Sequence, residues 1–304
     1  MNPVELKRPH RNNRRGLLYG LSAYGLWGLL PLYFTALMPS GAWEIVSARV
    51  VFALVLCLVL VAALGQFGQF LAVFTHPKTL VLFMVSGVLI GCNWLLYTVA
   101  TTTGHTLEAS LGYFINPIVS IGLGVVVLRE KLRHLQWVAV GLGATAVVVM
   151  SVFYGQVPWL ALGLALTFGL YGLTKSLLSS QWSPLVGLTV ETLTLLPLVV
   201  VIIAQHATTN SLTIGEYGWL HTALLVSTGA VTVVPLLLFG MSAARLPLST
   251  VGMLQYLTPV MQFVIAVAVM HESISTGRWV GFIAVWIAVA MLILDAVILR
   301  RRHA

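Results

Sequence analysis

Ten long apolar runs make up most of the chain and constrain its fold more than any other feature. A membrane-spanning α-helix needs about twenty consecutive apolar residues, whereas the strands of a membrane barrel alternate apolar with polar residues. Only 8% of the 304 residues are charged, and a soluble fold cannot hide so much apolar surface. The sequence therefore predicts an all-α integral membrane protein with ten transmembrane helices. The runs are 16–38, 43–64, 78–101, 106–128, 133–153, 156–178, 184–205, 216–243, 247–270 and 274–299.

The sixteen Lys and Arg residues fall mainly on one side of this predicted bundle. Five precede the first run, three follow the last, and six more lie at ends that are cytoplasmic if the N-terminus is cytoplasmic. The exceptions are Arg278, at an outer end, and Arg49, inside the second run. Because cytoplasmic loops carry the excess of positive charge, both termini are predicted to be cytoplasmic. Membrane lipids are the expected partners of these scattered charges, and nucleic acid is not.

A shift of 142 residues aligns the second half of the chain with the first. The pattern Pro-x12-Glu-x6-Trp occurs twice, beginning at Pro117 and at Pro259. Near the start of each half, segment 24–28 resembles segment 168–172 at a shift of 144. Each half therefore holds five predicted helices and, because five is odd, the second half is inverted. The predicted parts are a basic cytoplasmic tail at 1–15, repeats at 16–153 and 154–299, and a cytoplasmic tail at 300–304.

Inverted five-helix repeats favour one function over the others. Many secondary transporters are built this way, with a substrate site near the membrane midplane where the repeats meet. The expected function is therefore transport of a small molecule by alternating access, whereas the oligomeric state cannot be read from the repeat. The alternative is a translocase for a lipid or lipid-linked molecule, because that substrate also fits a long amphipathic cavity.

Three segments resemble the RarD branch of the drug/metabolite transporter superfamily, which carries EamA-type repeats. They are Glu-Ala-Ser-Leu-Gly-Tyr-Phe-Ile-Asn-Pro at 108–117, Gly-Cys-Asn-Trp-Leu-Leu at 91–96 and Val-Val-Pro-Leu-Leu at 233–237. The resemblance covers nearly the whole chain. It implies ten helices in two inverted repeats, the inner membrane of a bacterium, and export of small metabolites or drugs. It identifies no transported molecule.

Polar residues on the fourth and ninth runs form two matching helical faces. On each face three of them recur at i, i+3 and i+7, and they are Tyr113, Asn116, Ser120, Gln255, Thr258 and Gln262. Pro117 and Pro259 lie within these faces as predicted helix kinks, since proline cannot donate to the carbonyl four residues earlier. That rule predicts spare carbonyl groups at Tyr113 and Gln255. The two faces indicate opposite walls of a substrate cavity or, alternatively, hydrogen bonds between packed helices.

Further candidates for the cavity are mostly aromatic. The third run contributes Asn93, Trp94 and Tyr97. Trp27 and Tyr171 match between the repeats at mid-span, where they either line an apolar pocket or pack in the core. At the outer end of the fourth run, Glu108 is either an outer gate or a charge at a helix N-terminus.

Arg49 and Glu191 are charged residues inside apolar runs and are related by the shift of 142. They lie about 9 and 10 Å from opposite faces of the membrane at 1.5 Å per residue. Such residues are costly in lipid and usually functional. Three interpretations are open: handling of a coupling ion or a substrate charge, a structural ion pair bridging roughly 10 Å of a ~30 Å core, or snorkelling to an interface.

Enzymes and channels lack support in the sequence. A membrane enzyme would need a motif such as His-Glu-x-x-His or Gly-x-Ser-x-Gly, and neither occurs. No nucleotide-binding Gly-x4-Gly-Lys-Ser/Thr motif occurs either, so no cofactor is expected. The histidines and the two cysteines show no metal-ligand spacing, and the loops are too short for a channel filter. Transport would then draw on an ion gradient or on the gradient of the substrate.

Overall fold

The computed structural model is helical throughout its described parts and contains no strand there. It describes residues 13–102, 106–132, 159–179, 181–208 and 212–269, with scattered single positions at 134–148, 279, 283 and 287. The helices are α1 Asn13–Gly28, α2 Leu30–Ala36, α3 Ala42–Ala63, α4 Phe67–Phe74, α5 Pro77–Thr102, α6 Thr106–Val126, α7 Trp159–Leu178, α8 Pro184–Thr208, α9 Gly218–Ala243, α10 Leu248–Leu254 and α11 Leu257–Ala268.

Six segments of the described chain are long and apolar enough to cross a membrane. They are α1 with α2, α3, α5, α7, α8 and α9, and they match the predicted runs to within a few residues. Large apolar side chains such as Val55, Val59 and Leu198 point outward and are more than half exposed, as expected of a lipid-facing surface. The prediction of an α-helical multi-pass membrane protein is confirmed. The predicted runs at 133–153 and 274–299 lie almost entirely outside the described residues.

Two of the predicted runs are broken helices. The first is interrupted at Leu29, between α1 and α2, and the ninth at Gln255–Tyr256, between α10 and α11. Each break is followed closely by a proline, Pro31 or Pro259, which cannot donate to the carbonyl four residues earlier. The ninth run, for which the sequence predicted a kink at Pro259, is broken just before this proline, which lies in the first turn of α11. Pro117, by contrast, lies inside the unbroken helix α6.

Helices of the first half pack mainly against helices of the second. Helix α1 contacts α9 and α11, α3 contacts α8 and α9, α5 contacts α7 and α8, and α6 contacts α7 and α10. Two crossings are so close that only glycine fits. A Cβ on Gly87 would lie 2.6 Å from the Glu191 carbonyl oxygen, and one on Gly229 would lie 2.6 Å from the Phe52 carbonyl carbon. Small residues allow helix backbones to approach in this way, and these two glycines are related by the shift of 142.

Candidate functional site

A cavity lies where helices of the two halves meet, and residues of both halves line it. Arg49 lines it, together with eight of the eleven residues that the sequence assigned to a cavity. The eight are Trp27, Asn93, Trp94, Tyr97, Tyr113, Asn116, Gln255 and Thr258.

Other lining residues were missed by the sequence analysis. Phe34 and Tyr24 line the cavity from the first half and Phe168 from the second. Residues 24 and 168 begin the two repeat-matched segments, so the internal repeat contained a usable signal for them. Phe34 carried no such signal. Its helix α2 is turned into the cavity by the break at Leu29, which sequence periodicity did not show.

Three predicted cavity residues lie elsewhere. Ser120 is buried where α6 crosses α10, and a Cβ on Gly252 would lie 3.0 Å from its Cβ. The Tyr171 hydroxyl donates to Glu191 Oε2 over 3.3 Å, away from the cavity. Gln262 Nε2 donates to the Trp27 carbonyl oxygen over 3.4 Å. This oxygen lacks its usual helical donor, because Pro31, four residues later, has no N–H. Each side chain serves a contact between helices that the sequence could not specify.

The polar groups of the cavity wall divide into two kinds. Asn93 Nδ2 donates to the Leu164 carbonyl oxygen at 2.9 Å, and Thr258 Oγ1 donates to the Tyr24 carbonyl oxygen at 2.9 Å. These two residues tie helices together, which is the alternative that the sequence analysis left open. Asn116 and Gln255 differ, because their side-chain carbonyl oxygens are buried without a hydrogen-bond partner in the described part of the chain.

The spare backbone acceptor that was predicted at Gln255 is not spare. Its carbonyl oxygen accepts a hydrogen bond from the Thr258 N–H at 3.2 Å. The helix break causes this, because the chain between α10 and α11 tightens into a turn and closes a three-residue hydrogen bond. Any polar function of Gln255 toward the cavity therefore belongs to its side chain.

Arg49 is the one charged side chain among the described residues that line the cavity. Its Nε donates to Thr232 Oγ1 at 3.0 Å. The guanidinium carbon lies 4.6 Å from the ring centroid of Trp94 and 5.8 Å from that of Phe34. Aromatic faces attract a cation and replace part of its lost hydration. Arg49 is 8% exposed and forms no ion pair with any described carboxylate.

Glu191 lies in a separate, fully buried network. Its Oε2 accepts from Lys175 Nζ at 2.7 Å, and its Oε1 accepts from Ser86 Oγ at 2.7 Å. Thr174 Oγ1 in turn donates to Ser86 Oγ at 2.9 Å. Lys175, in the last turn of α7, is only 5% exposed and pairs with Glu191. The proposed bridge between Arg49 and Glu191 does not form, since each has another partner.

An aromatic cluster separates the cavity from this ion pair. Trp27 and Phe168 line the cavity, and their ring centroids are 5.5 Å apart. Phe168 contacts Phe239 at 5.4 Å, and Phe239 stacks on Tyr171 at 5.8 Å. Tyr171 then reaches Glu191 through its hydroxyl. Lys175 also borders a smaller cavity, which Phe83, Trp182 and Gly240 help to line.

Two carboxylates bind across the two halves. Glu44 Oε1, at the start of α3, accepts from the N–H groups of Thr213 and Ile214 at 2.7 and 2.9 Å. Glu130 accepts from the N–H groups of Leu248 and Ser249, at the start of α10, at 2.7 and 2.8 Å. The side chain of Glu108, the predicted outer gate, lies outside the described residues. Within the described chain no group of His, Cys, Asp and Glu is arranged to hold a metal ion.

Comparison with known proteins adds the family. The model of the EamA-like transporter family matches twice, at residues 14–152 and 157–294. Protein RarD of Streptomyces exfoliatus is 44% identical over 296 residues, which cover 97% of this chain and 93% of the relative. Protein RarD of Escherichia coli K12 is 37% identical over 292 residues, which cover 96% of this chain and 98% of the relative.

A solved crystal structure supports the fold alone. It is 16% identical to this chain, has a TM-score of 0.67, and covers 92% of this chain and 98% of its own. The two family matches together span nearly the whole sequence, and both relatives are more than 30% identical to it over at least 96% of its length. The chain belongs to the EamA-like transporter family, as a RarD-type member.

Proposed function

We propose that this protein is a secondary transporter of the bacterial inner membrane that exports small metabolites or drug-like molecules by alternating access. The observation that carries the proposal is the cavity between the two halves. Residues of both halves line it, among them Asn116 from the first half and Gln255 from the second. In a transporter built from two repeats, the substrate site is expected at this interface.

Helix packing supports ten helices in two inverted repeats. Helix α1 packs on α9 and α11, and its counterpart α7 packs on α5 and α6. Under the shift of 142, α9 corresponds to α5 and α11 to α6, so the two sets of neighbours are exchanged. A twofold axis between the halves produces such an exchange, and five helices in each half would require that axis to lie in the membrane plane. The two matches of the family model, at residues 14–152 and 157–294, correspond to the two predicted repeats.

Contacts between the halves support a rocking motion. In the predicted topology Glu130 binds the second half at the cytoplasmic end of the bundle, and Glu44 binds it at the outer end. Opening the cavity to one side would break the contact at that end while the other is kept. Each contact pairs an anion with backbone N–H groups, and Glu130 also binds at a helix N-terminus, where the dipole favours it.

Proton coupling is the mechanism that we propose for Glu191. A carboxylate buried in the membrane beside an amine holds a proton in two alternative places, and Lys175 Nζ is 2.7 Å away. Lys175 also borders the smaller cavity, which offers a route for a proton from outside the network. The aromatic cluster links this network to the substrate cavity. Substrate binding in the cavity and protonation of the network can therefore affect each other through the packed rings.

Reconstitution tests this function. Purified protein is screened by thermal shift against metabolite and drug libraries, and each hit is then tested for counterflow in liposomes with and without an imposed pH gradient. A matched control is the Asn116→Ala/Gln255→Ala variant, which is expected to lose thermal-shift hits and flux together. Binding without counterflow by the wild type would contradict transport, and movement of fluorescent phospholipid would indicate the lipid translocase instead.

A further inference from the structure

Among the described residues that line the cavity, Arg49 is the one that carries a charge, and this points to a class of substrate. We propose that Arg49 is the anion-binding residue of the cavity and that the substrate is a flat aromatic monoanion, of the aryl carboxylate class. This inference rests on the proposed transport function, because it uses the same cavity, and it adds a chemical class that the family does not supply.

The first step is the state of the guanidinium. Arg49 is more than nine-tenths buried, and its Nε is used by Thr232. No hydrogen bond joins its two terminal nitrogens to another described residue, and Arg49 is one of the residues that line the cavity. A carboxylate fits these two N–H groups, because arginine and carboxylate form parallel, charge-assisted hydrogen bonds. The guanidinium therefore has donors to offer to an anion.

The second step is the shape of the surrounding wall. The guanidinium carbon of Arg49 lies over the Trp94 ring, 4.6 Å from its centroid. Trp27, Tyr97 and Tyr113 supply further rings, and those of Tyr97 and Tyr113 meet edge to face at 5.6 Å. Aromatic walls of this kind favour a planar apolar body over a flexible polar one.

The third step is the pair of unused amide oxygens. Asn116 and Gln255 bury side-chain carbonyl oxygens that lack a donor among the described residues. Buried acceptors are costly when they are left unpaired, so a ligand N–H or O–H is the expected partner. An aryl carboxylate with one ring N–H, such as indole-3-acetate, offers a group for Arg49 and a donor for one amide.

The fourth step excludes amines. No described residue that lines the cavity carries a negative charge. A primary ammonium would therefore add a second positive charge beside Arg49 in a medium of low dielectric constant, where like charges repel strongly. Cationic and zwitterionic aromatic molecules are expected to bind more weakly than the corresponding monoanion.

Calorimetry on the purified full-length protein tests these steps with four ligands that share an indole ring. Indole-3-acetate is expected to bind at least about tenfold tighter than indole-3-acetamide, since a charge-assisted pair replaces a neutral one. Tryptamine and tryptophan are expected to bind more weakly than indole-3-acetate. Equal affinity for the acetate and the amide, or tighter binding of tryptophan, would overturn the proposal.

Variants locate the effect. In Arg49→Gln the preference for acetate over amide is expected to disappear, whereas Arg49→Lys keeps the charge and is expected to keep part of the preference. Arg245→Gln is the matched control, because Arg245 also lies over a ring, that of Tyr19 at 5.2 Å, but outside the cavity. If Arg49→Gln does not fold, the wild-type preference and Arg49→Lys still decide the proposal.

Flux separates this inference from the proposed function. Counterflow of a neutral indole but not of indole-3-acetate would refute the anion site and leave transport intact. Tight, Arg49-dependent binding of the acetate without any counterflow would leave the anion site intact and refute transport.

Discussion

Arg49 and Glu191 occupy equivalent places on repeat-related helices, yet their surroundings differ. Glu191 is wholly buried and shares its charge with Lys175, Ser86 and Tyr171. Arg49 borders a cavity, its Nε donates to the Thr232 hydroxyl, and its guanidinium lies beside the rings of Trp94 and Phe34. Among the described residues, Glu191 has an oppositely charged partner and Arg49 has none. Under the proposed function, one repeat would bind the coupling ion and the other the substrate.

The position that matches Lys175 in the first repeat carries no charged residue. At the shift of 144 that aligns the first helix of each repeat, Lys175 corresponds to Pro31. Proline breaks the first run at this point and supplies no charge, whereas Lys175 extends from an unbroken helix toward Glu191. The first repeat therefore has a broken helix and an open cavity where the second has a closed ion pair.

The largest effect is expected from breaking the buried pair. Glu191→Gln leaves the Lys175 ammonium without its counterion in the interior, at a cost of about 3–5 kcal/mol in the free energy of unfolding. Thermal unfolding of the purified protein measures this loss. A second change, Lys175→Met, is expected to restore most of it, because an apolar side chain of similar length needs no partner.

The matched control for that rescue is Arg49→Gln combined with Glu191→Gln, which is expected not to restore stability. Recovery by Arg49→Gln would show that the two charges are coupled after all. The rescued Glu191→Gln/Lys175→Met protein also tests coupling, since it is expected to exchange substrate without accumulating it against a pH gradient. Undiminished pH-driven accumulation would exclude Glu191 as the coupling residue.

An intermediate effect is expected at the close helix crossings. Gly87→Ala would place a Cβ 2.6 Å from the Glu191 carbonyl oxygen, and Gly229→Ala would do the same against the Phe52 backbone. Such overpacking costs about 1–3 kcal/mol, so both variants are expected to unfold at lower temperature. Gly68→Ala is the control, because nothing lies within 4 Å of its added Cβ. An unchanged melting temperature for Gly87→Ala would mean that α5 and α8 separate easily.

The smallest effect on stability is expected at Arg49 itself. Arg49→Gln removes cation–π contacts and one hydrogen bond, but it also removes a desolvated charge that has no counterion in the described part of the chain. These changes oppose each other, and the free energy of unfolding is expected to shift by less than about 1 kcal/mol. Thermal unfolding in parallel with Glu191→Gln is the measurement. A loss as large as that of Glu191→Gln would show that Arg49 is structural and would remove the contrast between the two sites.

Much of the candidate site was accessible from the sequence because it lies on the repeat. Asn116, Thr258 and Gln255 were found by helical spacing and by the shift of 142, and all three line the cavity. Lys175 was missed because counting charges treats every residue near a helix end as solvent-facing. The rotation of α7 decides otherwise, since it directs that side chain toward α8. Gln262 and Ser120 lie on the same helical faces as these residues, but their side chains contact neighbouring helices and do not line the cavity.

The sequence by itself determined the membrane class and most of the helices, and it predicted the relation between the halves. Hydropathy and repeat spacing are properties of the local chain, so no knowledge of its neighbours is needed to read them. Only the tertiary structure decided which buried charge has a partner. That outcome depends on which helices adjoin, how each is rotated, and where Pro31 and Pro259 break a run. Those quantities are set by contacts between residues far apart in the sequence, and they leave Arg49 facing a cavity while Glu191 is enclosed with Lys175.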